Sequence, residues 1–86
     1  MREKSFDHPF TLTEETVGFG GMLLEYSLLG YPVRGDRFRI CVLLGSERAE
    51  FGVGNDLERA LSIYRTVVRG RVTPCGLEDV LQDLCL

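Results

Sequence analysis

The 86-residue sequence lacks the features that mark membrane-spanning and secreted proteins. Hydrophobic residues make up 44% of the chain, yet no uninterrupted apolar run approaches the roughly 18 residues of a membrane-spanning helix. Residues 1–5 include charged side chains and lead into no apolar core of a signal peptide. We therefore expect a cytoplasmic protein that does not enter a membrane.

Residues that bind metals or carry redox chemistry are scarce. The three cysteines are Cys41, Cys75 and Cys85, and none has the close spacing of a zinc or thiol–disulfide motif. His8 is the only histidine, which argues against a histidine-based metal cluster. In a reducing compartment we expect the cysteines to be free thiols. The sequence thus predicts no metal ion and no cofactor.

The chain also lacks an excess of positive charge, since its net charge is −3. Residues 1–33 carry two basic and five acidic side chains, residues 34–71 carry eight and five, and residues 72–86 carry none and three. A basic middle between acidic ends can compensate itself within the fold, whereas a nucleic-acid-binding domain is usually basic overall. The charge pattern therefore argues against nucleic acid as a partner.

The first two thirds of the chain show the two-residue period of strands. Residues 10–13 and 22–29 predict the first two strands, and the glycine-rich segment 18–21 lies between them. Because this segment precedes a strand and not a helix, we interpret it as a turn and not as a phosphate-binding loop.

A hairpin is predicted next. Residues 37–44 predict the third strand, and residues 45–46 have the Gly-Ser composition of a two-residue turn. This turn would set apolar residues opposite one another on one face of the sheet: Val42 with Ala49, Ile40 with Phe51, and Phe38 with Val53. A one-residue slip would place apolar faces against polar ones, so the pattern itself determines the register.

Two amphipathic helices are predicted to follow the sheet. We expect Asn55 to cap the first helix, with Glu58 three residues later, and Gly70 to end it. Thr73 is expected to cap the second helix, with Pro74 at its first position. The apolar positions at helical spacing are Leu57, Ala60, Leu61, Tyr64, Val67 and Val68 in the first helix, and Leu77, Val80, Leu81 and Leu84 in the second.

Strands followed by helices predict a two-layer α+β fold. We expect a four-stranded antiparallel sheet, with its strands in sequence order, followed by two helices packed on one face (ββββαα). The length predicts a single domain over residues 1–86. Within it we expect a loose N-terminal end over 1–6, the sheet over 7–54 and the helices over 55–86.

The last fifteen residues carry a family resemblance. Residues 72–83 read V-T-P-x-x-L-x-D-V-L-x-D, after four predicted strands and a helix. This arrangement resembles a family of small uncharacterised proteins (a domain of unknown function) of clostridia and related Firmicutes, which end in V-T-P-x-x-L-x-D-V-(V/L)-x-D. The chain departs from that pattern at Cys75 and Gly76, where bulkier residues are usual, and continues to Leu86. The resemblance implies the fold and a bacterial, cytoplasmic protein, and it supplies no catalytic residues.

Cys75 is the candidate reactive thiol. It lies in the first turn of the predicted second helix, where the helix dipole favours a thiolate, and Arg71 lies four residues before it. A reactive or redox-sensing thiol with His8 as its base is one interpretation, and a small structural residue after Thr-Pro is the other. We favour the structural interpretation, because no base or partner is adjacent to Cys75 in the sequence.

Two groups of arginines are candidate anion sites, because a guanidinium forms bidentate contacts with phosphates and carboxylates. One group surrounds the third strand and the other ends the first helix: Arg34, Arg37 and Arg39, and Arg65, Arg69 and Arg71. The alternative is a solvated sheet face and a helix end that complements the dipole, with Glu25 and Glu50 as partners on the strands. We favour this alternative.

The sheet face opposite the helices mixes apolar and charged residues. Its apolar members are predicted to be Leu23, Leu29, Cys41 and Leu43, and such a mixture is typical of a dimer surface. We therefore expect a non-enzymatic protein that acts through self-association, as a homodimer or other homo-oligomer, or by binding an unknown protein partner. The alternative is a small-ligand, anion-binding or thiol-dependent protein that uses Cys75 with nearby arginines.

Overall fold

The computed structural model describes residues 9–31 and 37–85, so the predicted loose end over 1–6 lies outside the described residues. It contains a four-stranded antiparallel sheet followed by two helices, which confirms the predicted ββββαα fold. The elements are β1 (Phe10–Phe19), β2 (Met22–Gly30), β3 (Phe38–Leu44), β4 (Glu47–Gly52), α1 (Leu57–Arg69) and α2 (Pro74–Cys85). The strands lie in the order β1-β2-β3-β4, as predicted. In the described part of the chain, neither helix has the length and apolar character needed to cross a membrane.

β1 is longer than its sequence pattern predicted, because it continues past Thr13 to Phe19. The alternation of apolar and polar residues is broken by a shift of register between Thr11 and Thr13. Beyond that bulge most residues are exposed, so they carry no hydrophobic period from which a strand could be predicted. The strand ends at Gly20 and Gly21, whose φ angles of 57° and 83° suit a type I′ hairpin turn.

The β3–β4 hairpin has the predicted register. It sets Val42 opposite Ala49 and Ile40 opposite Phe51. Gly45 has a φ of 59°, as required at the first central position of a type II′ turn. The pairing continues beyond β4, where the Val53 N–H donates to the Phe38 carbonyl at 2.8 Å.

The core lies between one face of the sheet and both helices. Its buried residues are Leu24, Tyr26 and Leu28 of β2, Ile40 and Val42 of β3, Val53, then Ala60, Ile63, Tyr64 and Val67 of α1, and Leu77 and Leu81 of α2. The main contacts of α1 are with β2 and β3, and those of α2 are with β3 and β4. The helices therefore cover the inner face of β2, β3 and β4 and leave most of β1 exposed.

Two tyrosines bring hydroxyl groups into this core, and both find acceptors. The Tyr26 hydroxyl donates to the Val72 carbonyl at 3.0 Å, and the Tyr64 hydroxyl donates to the Tyr26 carbonyl at 3.4 Å. Burial raises the pKa of Tyr64 to about 12 and also raises the pKa of Tyr26. Both hydroxyls therefore remain protonated at neutral pH, and the bond to Val72 attaches the α1–α2 connection to β2.

The prediction that Asn55 caps α1 is wrong. The cap is Asp56, whose carboxylate accepts the N–H of Glu58 at 3.0 Å and that of Arg59 at 3.4 Å. The side-chain oxygen of Asn55 instead accepts the N–H of Arg37 at 2.9 Å. Asn55 thus joins the start of α1 to the start of β3, and the next residue becomes the cap.

The helix ends differ from the prediction in burial and in backbone conformation. Leu57 and Leu84, which were predicted on the apolar stripes, are exposed, whereas Ile63 is buried. Both exposed leucines lie in terminal turns, whereas Ile63 lies in the central part of α1 that faces the sheet. Gly70 has a right-handed φ of −81°, and the left-handed residue is Arg71, with a φ of 51°.

Truncation of the second helix tests the extent of the core. Leu81 is 5% exposed and belongs to the core, so Leu81→Ala should lower the free energy of unfolding by about 2–5 kcal/mol. Leu84 is 37% exposed, and Leu84→Ala should cost less than about 1 kcal/mol. Urea unfolding followed by circular dichroism measures both losses. Equal losses would contradict the placement of α2.

Candidate functional site

The sheet face that points away from the helices, called the outer face below, is formed by alternate residues of the four strands. Its members are Thr11, Glu14, Thr16 and Gly18 of β1, Leu23, Glu25, Ser27 and Leu29 of β2, Arg39, Cys41 and Leu43 of β3, and Arg48, Glu50 and Gly52 of β4. Both helices pack on the opposite face. Among the residues that the structure describes, no helix covers the outer face, which is therefore a broad, mixed surface.

The four residues predicted as an interface all lie on this outer face, but they differ in exposure. Leu23 is 60% exposed, Leu29 and Leu43 are half-buried, and Cys41 is only 6% exposed. Cys41 lies between Ser27 of β2 and Glu50 of β4. The three leucines are thus the apolar groups that this face offers to a partner, and Cys41 packs within the sheet.

A network of polar side chains centred on Glu50 covers the β3–β4 half of the outer face. One Glu50 oxygen accepts from the Tyr31 hydroxyl and from Arg39 Nε, each at 2.8 Å, and the other accepts from Arg48 at 2.8 Å. The side chains of Arg39 and Glu50 are 22% and 16% exposed. Their ion pair is therefore partly shielded from water, and it stabilises the fold more than a fully exposed pair would.

The charges of the network determine the protonation of Glu50. Burial alone would raise its pKa, but the hydrogen bonds from Tyr31 and Arg39 and the positive charges of Arg39 and Arg48 outweigh burial and lower the pKa. Arg48 also lies within hydrogen-bonding reach of Cys41, and this contact together with Glu50 raises the pKa of the Arg48 guanidinium. Glu50 is therefore a carboxylate at neutral pH and pairs with the Arg48 guanidinium.

The sequence could have revealed part of this network. Arg48 and Glu50 are two residues apart on one strand and so share a face, which would have predicted their contact. Arg39 and Glu50 were expected to be partners from the hairpin register, and they are. Tyr31 lay in a predicted loop, and nothing in its local sequence signals a contact nineteen residues away.

The two predicted groups of arginines have different surroundings in the structure. Arg39 is bound to Glu50, Arg37 is exposed at the start of β3, and Arg34 lies outside the described residues. The exposed members of the second group are Arg65, Arg69 and Arg71. Their position at the end of α1 suits the negative end of the helix dipole. That arrangement is the one expected of a solvated helix end.

Cys75 lies in the first turn of α2 and is exposed. Its sulfur is 3.7 Å from a carboxylate oxygen of Glu47, in a shallow cleft that Arg48 also lines. The thiol donates a hydrogen bond to this carboxylate, so a negatively charged side chain lies beside the sulfur. The predicted base, His8, lies outside the described residues.

Exposed apolar side chains concentrate on the β1–β2 hairpin, a feature that the sequence patterns did not reveal. They are Phe10, Leu12, Phe19, Met22 and Leu23. Within residues 9–31 and 37–85, no group of three or more His, Cys, Asp or Glu side chains could hold a metal ion. The outer face and the β1 side of the sheet are therefore the surfaces that their exposed apolar side chains distinguish from the rest.

The Glu50 network predicts a specific pH dependence. Because the folded-state pKa of Glu50 is lowered from an unfolded value of about 4.3, its carboxylate stabilises the fold above that value, and the stabilisation is lost as the pH falls through the folded pKa. The stability difference between wild type and Glu50→Gln should therefore shrink between about pH 7 and about pH 3. Urea unfolding measures it, with the exposed Glu78→Gln as control. A difference that does not change with pH would contradict the network.

The contact between Cys75 and Glu47 predicts an unreactive thiol. At neutral pH, Cys75 should react with iodoacetamide no faster than a model thiol, and Glu47→Gln should increase the rate because it removes the repelling charge. Cys75→Ser identifies the reacting site, and the buried Cys41 should react only after unfolding. A wild-type rate far above the model thiol would instead support a reactive cysteine.

Comparison with protein-family models, with curated proteins and with solved structures finds no match for this chain. The resemblance of residues 72–83 to the Firmicutes proteins therefore stays a prediction. A function for the chain has to be inferred from its own residues and contacts, and these favour the outer face over the thiol and the arginines.

Proposed function

We propose that this protein is not an enzyme and that it acts by self-association through the outer face of its sheet. The observation that carries this proposal is the one-sided packing of α1 and α2, which leaves the outer face open. Leu23, Leu29 and Leu43 lie on that face, on the two central strands. Leu23 and Leu43 lie near one end of the face and Leu29 lies near the other, with Glu25 and Ser27 between them on β2. Apolar side chains set among polar ones in this way are common in protein interfaces that are not permanent.

The charges of the outer face support pairing with a second copy. The β1–β2 half carries Glu14 and Glu25, and the β3–β4 half carries Arg39 and Arg48 against Glu50. A two-fold axis parallel to the strands would place the acidic half of one copy over the basic half of the other. The face is therefore complementary to itself in charge.

The alternative function receives less support. A thiol-dependent or anion-binding protein needs an activated sulfur or an open cluster of cations. The sulfur of Cys75 contacts the carboxylate of Glu47, and the guanidinium of Arg39 is bound to Glu50. Both contacts place a negative charge where the alternative requires a positive one.

A charged residue in place of an apolar one on the outer face should disrupt the assembly. Leu23→Lys should weaken self-association at least about ten-fold, or about 1.4 kcal/mol, because two-fold symmetry introduces the lysine twice. Leu23 is mostly exposed, so the fold itself should lose little stability. Sedimentation velocity measures the association, which should also weaken as salt is added.

The matched control is Leu84→Lys, which changes an exposed leucine of α2 on the other side of the molecule. It should leave the oligomeric state unchanged. A wild-type protein that stays monomeric at about 100 µM would overturn the proposal, because a dimer with a Kd of about 10 µM would be mostly assembled there. So would equal effects of the two substitutions.

A further inference from the structure

We propose that the free edge of β1 binds an extended, basic segment of another protein by strand addition. β1 is the first strand in the order β1-β2-β3-β4, and in the described residues no strand pairs with its other side. This edge is a different surface from the outer face. The inference therefore goes beyond the proposed self-association and does not depend on it.

The hairpin determines which main-chain groups of β1 are available. The two-residue turn makes Phe19 and Met22 a hydrogen-bonded pair. Hydrogen-bonded pairs then alternate along the strands, so every second residue directs its N–H and C=O groups away from β2. These outward residues are Gly18, Thr16 and Glu14. They offer a partner strand a regular row of donors and acceptors.

Few protective features of a natural edge strand occur on this part of β1. Natural edges are commonly protected by charged side chains (lysine above all), by proline or by a bulge. The bulge of β1 lies between Thr11 and Thr13, near its start, and the register is continuous from Thr13 to Phe19. That stretch contains no proline and no lysine. Its charged residues are the two adjacent glutamates, and these select the partner.

Charge favours a basic partner over a second copy of β1. Residues 9–31 contain Glu14, Glu15 and Glu25 and no basic residue. Glu14 and Glu15 lie at the middle of β1 on opposite faces of the sheet. An antiparallel copy of β1 would bring like carboxylates opposite or beside one another, which destabilises strand pairing, whereas lysine or arginine at these positions stabilises it.

Apolar contacts would extend the binding site beyond the charges. Phe19 and Met22 are exposed at the turn, and Val17 is partly buried against the core on the inner face. The Tyr64 hydroxyl of α1 lies within hydrogen-bonding reach of Thr13, so an added strand would run close to α1. The preferred segment therefore carries two adjacent basic residues at its middle, one for each face of the sheet, and apolar residues at its ends.

A synthetic peptide with two adjacent lysines between valines, labelled with a fluorophore, tests the proposal by fluorescence anisotropy. The wild-type protein should bind it at least about ten-fold more tightly than the same peptide with glutamate in place of lysine. The double variant Glu14→Lys, Glu15→Lys should reverse this preference. Glu78→Lys, which makes one charge change at an exposed position of α2, should preserve it. An unchanged preference in the double variant would overturn the proposal.

The variant Thr16→Pro distinguishes strand addition from simple charge attraction. This substitution removes an outward N–H without changing charge and without removing a bond to β2. It should weaken binding of the lysine–valine peptide at least about ten-fold, while thermal unfolding verifies that the variant is folded. In the wild type, bound peptide should slow the hydrogen exchange of the Glu14, Thr16 and Gly18 amides. Equal binding by Thr16→Pro, or protection elsewhere, would overturn the proposal.

Discussion

The packing of one face of β2 and β3 against both helices is the interaction on which the rest of the structure depends. Leu24, Tyr26 and Leu28 of β2 are fully buried, and each such residue contributes on the order of 1.5–3 kcal/mol. Against a total stability of roughly 5–15 kcal/mol, few of them can be lost. Because side chains alternate along a strand, burying this face also determines which residues form the outer face.

The distribution of charge follows the division of the sheet into two hairpins. The β3–β4 hairpin carries arginines, and Glu50 binds two of them in a partly shielded network. The β1–β2 hairpin carries glutamates without basic neighbours among residues 9–31. This asymmetry underlies both proposals, since it makes the outer face complementary to itself and makes the β1 edge selective for a basic strand.

The sheet is wider than the layer of two helices that covers it, and this leaves β1 exposed. α1 and α2 make their main sheet contacts with β2, β3 and β4. β1 is therefore held chiefly by its pairing with β2 and contributes little to the core, so its large apolar side chains remain in contact with water. A strand in this position can bind a partner without any rearrangement of the core.

The sequence by itself determined the elements whose structure depends on neighbouring residues. Alternation of side chains and the glycine at position 45 were sufficient for the register of the β3–β4 hairpin, and helical periodicity identified α1 and α2. The contact of Arg39 with Glu50 followed from that register. These features depend on local backbone geometry, and local sequence therefore specifies them.

Only the tertiary structure decided the features in which distant segments meet. Local sequence favoured Asn55 as the cap of α1. Its side-chain oxygen instead accepts the N–H of Arg37, eighteen residues earlier in the chain. The length of β1 depends on its ladder with β2, and the surroundings of Cys75 depend on Glu47 at the start of β4. A periodic pattern shows which side of a segment is apolar, but the placement of the helices across the sheet decides which residues on that side are covered.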